Sequence, residues 1–224
     1  VTRYDVINRL CPKCLGVKVK DYNAVLQVRF TGGPPRELIN EVARMLIGSR
    51  GVGENVTDYE EVQGGINVKF SDASVARQAA IRLQNSLGGY LTESWKLHGL
   101  VKGRRHGKLF VVLRIPVFTS GDLIDLRGRL FEVLNVKGEK VTVRQLSDGK
   151  LLNLSVKSLV KEGFRQLGRD DYVTTECLVT EALGKEAVAV CEDGATVKWE
   201  VSRPLKAGDR VLALTYKDVR YLRY

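Results

Sequence analysis

Two short stretches of the chain hold side chains with chemical potential. The first is "CPKC", which sets Cys11 and Cys14 three positions apart. Two thiols at that spacing can be half of a zinc site, a redox pair or two unrelated cysteines. A redox pair normally opens a helix, but Cys14 is followed by Leu15, Gly16 and β-branched residues. Pro12, Lys13 and Gly16 fit a knuckle turn whose amides point at thiolate sulfur. The expected cofactor is therefore zinc, with Cys11 and Cys14 as a half-site, because a closed structural site needs four ligands. The chain begins at Val1 rather than Met, so it is expected to be a fragment, with the two missing ligands upstream. Cys177 and Cys191 stand alone inside strand patterns and are expected to be small buried core residues. Four cysteines in 224 residues are too sparse for a secreted disulfide scaffold and point to a reducing interior, hence a cytoplasmic protein.

The second stretch is "KLHGLVKGRRHGKLFVVLR". It carries Lys96, Lys102, Arg104, Arg105, Lys108 and Arg114 and no acid. Gly103 and Gly107 flank Arg104-Arg105-His106, which predicts a flexible hairpin tip. Such a tip can approach a phosphate backbone closely, and guanidinium forks match phosphate oxygens. His106 adds a hydrogen-bond donor; it forms no metal pair with His98. A solubilising loop is the alternative reading. Further basic residues are spread downstream: Lys137, Lys140, Arg144, Lys150, Lys157, Lys161, Arg165 and Arg169. Arg220 and Arg223 alternate with Tyr221 and Tyr224 at the end, where the rings could stack on bases or simply form an edge strand. The formal net charge is +10, with a pI near 9.5. Such a charge favours an anionic partner, and its diffuse spread suits folded RNA read by shape and backbone. A merely solvated basic surface is the alternative.

Catalytic signatures are missing. The chain has no phosphate-binding Gly-Lys-Ser/Thr loop, no GxSxG and no HExxH. "GSRGVG" (Gly48–Gly53) follows a helical pattern and reads as its stop. The expectation is a protein that is not an enzyme. No run approaches the ~18 apolar residues of a membrane span, and the first ten residues contain no signal-peptide apolar region.

These side chains must be positioned by regular elements. "AVLQVRF" predicts a strand, and "GGPPRELINEVARMLIGS" a helix with Leu38, Val42, Met45 and Leu46 on one face and Pro34-Pro35 in its first turn. "NVTDYEEV" and "INVKF" predict a hairpin around Gly64-Gly65. "SDASVARQAAIRLQNSLGG" predicts a second helix, capped by Ser71 or Asp72 and closed by Gly88-Gly89. "YLTESWKLHGL" and "LFVVLRIPVF" predict two more strands. Beyond Phe118 helical periodicity stops, and short strands recur with turns at Asp148-Gly149, Asp193-Gly194 and Gly208-Asp209. The predicted fold class is α+β. Residues 1–20 are the remnant of a zinc-binding region and linker. Residues 21–118 form a small antiparallel sheet domain with two helices on one face. Residues 119–163 and 164–224 form two small all-β barrels, SH3-like and OB-like.

The C-x-x-C pair, then Lys20-Asp21-Tyr22, Ala24-Val25 and Gln27-Val28-Arg29, resembles the 60S ribosomal export protein family (the NMD-three family), including its archaeal members. "GGINVKFSDASVARQAAIRLQ" and "KAGDRVLALTY" continue the resemblance, and the order of parts agrees over nearly the whole chain. The resemblance implies an N-terminal zinc region of several C-x-x-C pairs, the last matching Cys11 and Cys14. It also implies an α+β domain similar to a ribosomal protein, followed by a two-barrel module similar to translation factor five A. Its members bind the joining face of the large ribosomal subunit late in assembly. The partners implied are that subunit, its rRNA and other assembly factors, with no membrane and no oligomer. The tail with nuclear export signals found in eukaryotic members has no counterpart before Tyr224, so an archaeal-type member is expected. Lys96, Lys102, Arg104, Arg105, His106, Lys108, Arg114, Lys140, Arg144, Lys150, Arg165, Arg169, Arg220 and Arg223 form the expected RNA-binding set. The expected function is a non-enzymatic RNA-binding factor that blocks tRNA sites or subunit joining. The alternatives are a structural ribosomal protein, or the accessory RNA-binding part of an RNA-modifying enzyme.

Overall fold

The computed structural model describes residues 22–101 and 104–223, with the side chains of 98–106 excepted. These residues divide into two compact units between Val117 and Phe118. The first unit runs β1 (Ala24–Thr31), α1 (Arg36–Ile47), β2 (Val56–Val62), β3 (Gly65–Phe70), α2 (Ala73–Leu87), β4 (Tyr90–Val101) and β5 (Arg104–Pro116). Its five strands lie in the order β2-β3-β1-β5-β4.

Period-two alternation makes the sheet two-faced. Leu26 and Val28 of β1, Ile66, Val68 and Phe70 of β3, and Leu109, Val111, Leu113 and Ile115 of β5 all point inward. They form one core with Val42 and Leu46 of α1 and Ala76, Ala79, Ala80 and Leu83 of α2. Both helices therefore cover the same face. Helix α1 starts directly after Pro35, whose missing N–H suits a helix start. At the head of α2 the Asp72 carboxylate accepts from the Ser74 and Val75 amides at 2.7 and 3.0 Å, satisfying donors that the helix leaves unpaired.

One pairing, β1 with β5, is parallel, and the others in this sheet are antiparallel. Helix α2 carries the chain from β3 to the far edge, where β4 begins. The hairpin then returns β5 into the gap beside β1, running in the direction of β1. Gly89 makes this path possible: its φ is +124°, and an added Cβ would lie 2.4 Å from the Arg114 carbonyl oxygen. Gln84 of α2 donates to the Gly89 carbonyl at 3.1 Å and holds that turn.

The second unit holds two five-stranded sheets. The first contains β6 (Leu123–Leu126), β7 (Arg129–Lys137), β8 (Lys140–Gln145), β9 (Leu151–Ser155) and β10 (Arg165–Leu167), in the order β10-β6-β7-β8-β9. The second contains β11 (Val173–Leu183), β12 (Glu186–Cys191), β13 (Thr196–Glu200), β14 (Arg210–Tyr216) and β15 (Val219–Arg223), in the order β13-β12-β11-β14-β15. The fold is α+β, an α/β sheet unit followed by small β modules. Strand β10 pairs with β6, so the first of these sheets includes residues up to Leu167.

Two expectations for this unit are corrected. Helical structure does not stop at Phe118: α3 (Val156–Glu162) follows β9, with Val156 and Leu159 buried. A helix this short is below the reach of a periodicity reading. Cys177 and Cys191 are buried as expected, each 3% exposed, but they are not separate. They face each other across β11 and β12 and form a disulfide. The pairing register of two strands brings them together, and spacing along the chain does not reveal that register.

The two sheets share a core of Leu123, Leu130, Leu146, Leu167, Leu214 and Tyr216. Asp125 lies at its edge. Its carboxylate accepts from the Tyr216 hydroxyl and the Lys217 ammonium, both at 2.8 Å, and from the Gly128 amide at 2.7 Å. Lys217 and Asp218 both have positive φ, +49° and +62°, the conformation of a tight two-residue hairpin turn. That turn aims Lys217 back at Asp125. Burial acts to raise the Asp125 pKa, but the bonds from Lys217, Tyr216 and Gly128 outweigh it and hold the carboxyl below its ordinary range. Lys217 is raised in turn, chiefly by its bond to Asp125.

A depressed carboxylate contributes stability that is present above its unfolded pKa, about 3.9, and lost as pH falls through the lower folded value. A raised lysine contributes stability present below about 10.4 and lost as pH rises through its folded value. The pair is therefore intact between those limits. Asp125→Asn is expected to cost about 1–3 kcal/mol at neutral pH. Denaturant melts should show the gap between variant and wild type closing below about pH 3, under the unfolded carboxyl value. An equal gap at both pH values would show that the carboxylate charge is not what holds the joint.

Candidate nucleic-acid interface

Among the described residues, no helix covers the other face of the first unit's sheet, and alternation decides which side chains stand there. On β1 they are Val25, Gln27 and Arg29; on β3, Asn67 and Lys69. On β5 they are Lys108, Phe110, Val112 and Arg114, and on β4, Tyr90, Thr92, Ser94 and Lys96. Register turns these into cross-strand rows. Arg29 is opposite Arg114, which is opposite Tyr90. Gln27 is flanked by Asn67 and Val112, and Val112 by Thr92. Phe110 lies between Val25 and Ser94, and Lys108 opposite Lys96. Six residues separate Lys108 from Arg114, roughly 20 Å along a strand.

Aromatic rings and cations alternate across this face. The Lys108 ammonium is 3.5 Å from the Tyr22 ring centroid and that of Lys69 is 5.3 Å from the same ring. The Lys96 ammonium is 4.7 Å from the Phe110 centroid, and the Arg114 guanidinium is 5.7 Å from the Tyr90 centroid. Such contacts are electrostatic and orient the cations without neutralising them. Lys69 is also paired with Asp58 at 2.7 Å. Arg29, Lys96, Lys108 and Arg114 make no ion pair with a described carboxylate. Arg29 is fixed by bonds to the Val28 and Ile66 carbonyls and to Asn67 Oδ1, at 2.9, 3.0 and 2.6 Å. Partial burial, and after it the Arg114 charge, push its guanidinium down from its ordinary value, with Glu60 opposing. Register sets Arg29 and Arg114 opposite each other on β1 and β5, so this part of the face concentrates positive charge.

The expected RNA-binding residues thus separate by environment. Lys96, Lys108 and Arg114 share this open face. Arg104, Arg105 and His106 were expected at a flexible tip, but their backbone is part of β5, with Val101 opposite Arg104. Long cross-strand pairing extends the ladder past Gly107 to Val101 and Arg104. Lys102 lies outside the described residues, as do the side chains of Arg104, Arg105 and His106. In the second unit, five expected residues are engaged by carboxylates. Arg144 and Arg223 both reach Glu132, at 3.1 and 3.4 Å, and Lys150 reaches Asp148 at 2.8 Å. Arg165 pairs with Asp171, and Arg220 with Asp193 at 2.5 Å. Lys140, at the start of β8, and Arg169 are exposed, and neither has a described ion-pair partner.

Arg29, Tyr22, Tyr90 and Phe110 belong to the face but were not singled out as functional. A signal existed for Arg29. In "AVLQVRF" it falls on the same alternation as Gln27, opposite the apolar side. The expected zinc ligands, Cys11 and Cys14, lie outside the described residues. Among the described residues, no three His, Cys, Asp or Glu side chains approach closely enough to hold a metal ion. Among them, too, no buried side-chain nitrogen or oxygen lacks a hydrogen-bond partner.

Among curated proteins, none matches the sequence. Two solved structures are similar over part of the chain. One is a eukaryotic translation initiation factor 5A from Methanococcus jannaschii, at 10% identity and a TM-score of 0.31. It covers 47% of this chain and 88% of its own. The other is a translation initiation factor eif-5a family protein from Naegleria fowleri, at 12% identity and a TM-score of 0.28, covering 48% and 91%. At these scores they carry no functional weight. Residues 21–115 match the family described as NMD3, second domain, which spans the whole described sheet up to Ile115. That family consists of ribosome-associated export and biogenesis factors and is not known for catalysis. Over this segment the chain is similar to the second domain of NMD3, and the segment takes in the sheet that bears the open cationic face.

Proposed function

We propose that this protein is a cytoplasmic RNA-binding factor that docks on the joining face of the large ribosomal subunit during late assembly. Occupancy is its mechanism: bound there, it blocks tRNA sites or subunit joining until maturation ends. The observation that carries this reading is the sheet face that no described helix covers, where Arg29, Arg114, Lys96 and Lys108 stand among aromatic rings without carboxylate partners among the described residues. The similarity of residues 21–115 to the second domain of NMD3, a ribosome-biogenesis family, supports it. Sugar-phosphate attracts unneutralised cations, and flat rings accept exposed bases. Two linked units that each make weak contacts add through effective concentration.

The test is co-sedimentation of the purified protein with free large subunits across a salt series. Each neutralised phosphate adds about −0.7 to −0.9 to the log–log slope, so four contacts give a slope of roughly −3. Binding is expected to fall about 50-fold or more between 50 and 200 mM salt at that slope. A flat response would overturn the electrostatic docking. In cell extracts the protein should migrate with free large subunits and be depleted from translating ribosomes. Stoichiometric presence in the translating fraction would instead mark a permanent ribosomal component.

A further inference from the structure

The β4–β5 ribbon has a second face. Inward-pointing residues of β4 begin under cover: Leu91 packs on the core, and Glu93 is bound bidentately by Arg77 of α2, with contacts between 2.6 and 3.1 Å. The next two residues on that side, Trp95 and Leu97, are 59% and 68% exposed. Nothing among the described residues covers them. Register places Leu97 opposite Gly107, and a Cβ added at Gly107 would lie 3.4 Å from the Trp95 ring. The indole therefore lies along the glycine backbone, and no described residue covers its outer face. Lys96 and Lys108 stand on the reverse of the same ribbon.

From the Proposed function reading and this geometry, we infer that Trp95, backed by Leu97, is a stacking wedge for an unpaired base of RNA. Charge decides the kind of partner. Between Lys96 and Arg114 the ribbon carries six basic residues and no acid, so its occupant must be anionic on one side and flat and apolar on the other. A nucleotide strand supplies both, with phosphates for the lysines and an unstacked base for the indole. An exposed indole on a rigid strand is also already ordered, so stacking loses little side-chain entropy. The ribbon would enter a loop or junction of the RNA with its cationic side on the backbone and its Trp95 side against a base.

The experiment uses the intact chain and two unlabelled RNAs, a single-stranded oligoadenylate and a blunt duplex. Trp199 is only 7% exposed, so the emission of wild type minus that of Trp95→Phe isolates Trp95. Oligoadenylate should quench and shift the Trp95 emission, and the duplex should not. Trp95→Ala should weaken oligoadenylate binding about 10–100-fold, the loss of roughly 1–3 kcal/mol of base stacking. Trp95→Phe should keep most of the affinity, because a smaller ring still stacks. Binding is read separately by anisotropy of a dye-labelled copy of the same RNA. If RNA binds by anisotropy while Trp95 emission and the Trp95→Ala affinity stay unchanged, the wedge is overturned and the cationic face stands. If no RNA binds the wild type at low salt, the functional reading itself fails.

Discussion

Dithiothreitol is expected to destabilise the sheet built on β11–β15 by about 3 kcal/mol, the chain-entropy value for cross-linking a loop of about 15 residues. The Cys177–Cys191 bond closes 14 residues of chain and joins two central strands of that sheet. It also lies within the core that contains Val179, Ala187, Ala189, Trp199, Val211 and Ala213. Trp199 is a built-in reporter, because its ring packs in the same cluster and its indole N–H donates to the Arg220 carbonyl at 3.1 Å. In a Trp95→Phe background, guanidinium melts followed by Trp199 emission should shift to lower denaturant when the bond is reduced. Cys177→Ala with Cys191→Ala should melt at the reduced midpoint with or without reductant. Identical wild-type midpoints in oxidising and reducing buffer would show that the cross-link adds nothing. Nor is the sheet left without a core when the bond opens, since the apolar residues around it remain. The expected outcome is a weakened unit that still folds.

The second large effect concerns the open face of the first unit. Replacing Lys96, Lys108 and Arg114 together with Ala should lower affinity for large subunits roughly 100-fold, at about 1 kcal/mol for each exposed ion pair with phosphate. The salt slope should become shallower by about 2 to 3, close to one for each lost phosphate contact. None of the three side chains belongs to the helix-covered core, so circular dichroism and the melting midpoint should change little. A control triple, Arg144, Arg165 and Arg220 to Ala, removes the same charge from residues already held by Glu132, Asp171 and Asp193. It should weaken binding much less. Equal losses for the two sets would mean that net charge alone drives association and the face has no special place in it.

Much of the first unit could be read along the chain. Alternation in β1 and β5 and the apolar stripe Leu38, Val42, Met45 and Leu46 were strong signals because burial on one side forces them. Ser71 or Asp72 marked the head of α2, and the cap is Asp72, whose carboxylate accepts from the Ser74 and Val75 amides. The helix α3 was hidden by its seven residues, although Ser155 before it and Gly163 after it were available as boundary marks. What could not be read were pairings between distant segments. No local pattern says that β5 lies parallel to β1, that Cys177 meets Cys191, or that Lys217 turns back to Asp125 across 92 positions. The interface was half legible for the same reason. The basic run exposed Lys96, Lys108 and Arg114, but only the register shows that Arg29 joins them and that Arg144 and Arg223 converge on Glu132.

The position of β5 also constrains how the first unit comes into being on a translating ribosome. β5 is the last strand of the sheet in the sequence, yet it sits inside it, between β1 and β4. Until residues 104–116 have left the exit tunnel, β1 exposes one unpaired edge and β4 has no neighbour at all. The nascent domain can form the β1–β3 ladder and both helices early, but it cannot close. Loop closure between β1 and β5 spans more than 70 residues, which makes the final insertion the slow, entropically costly step. Stalling translation before Pro116 should therefore leave a sheet whose open edges invite pairing with other chains, whereas stalling a few dozen residues later should release a finished domain.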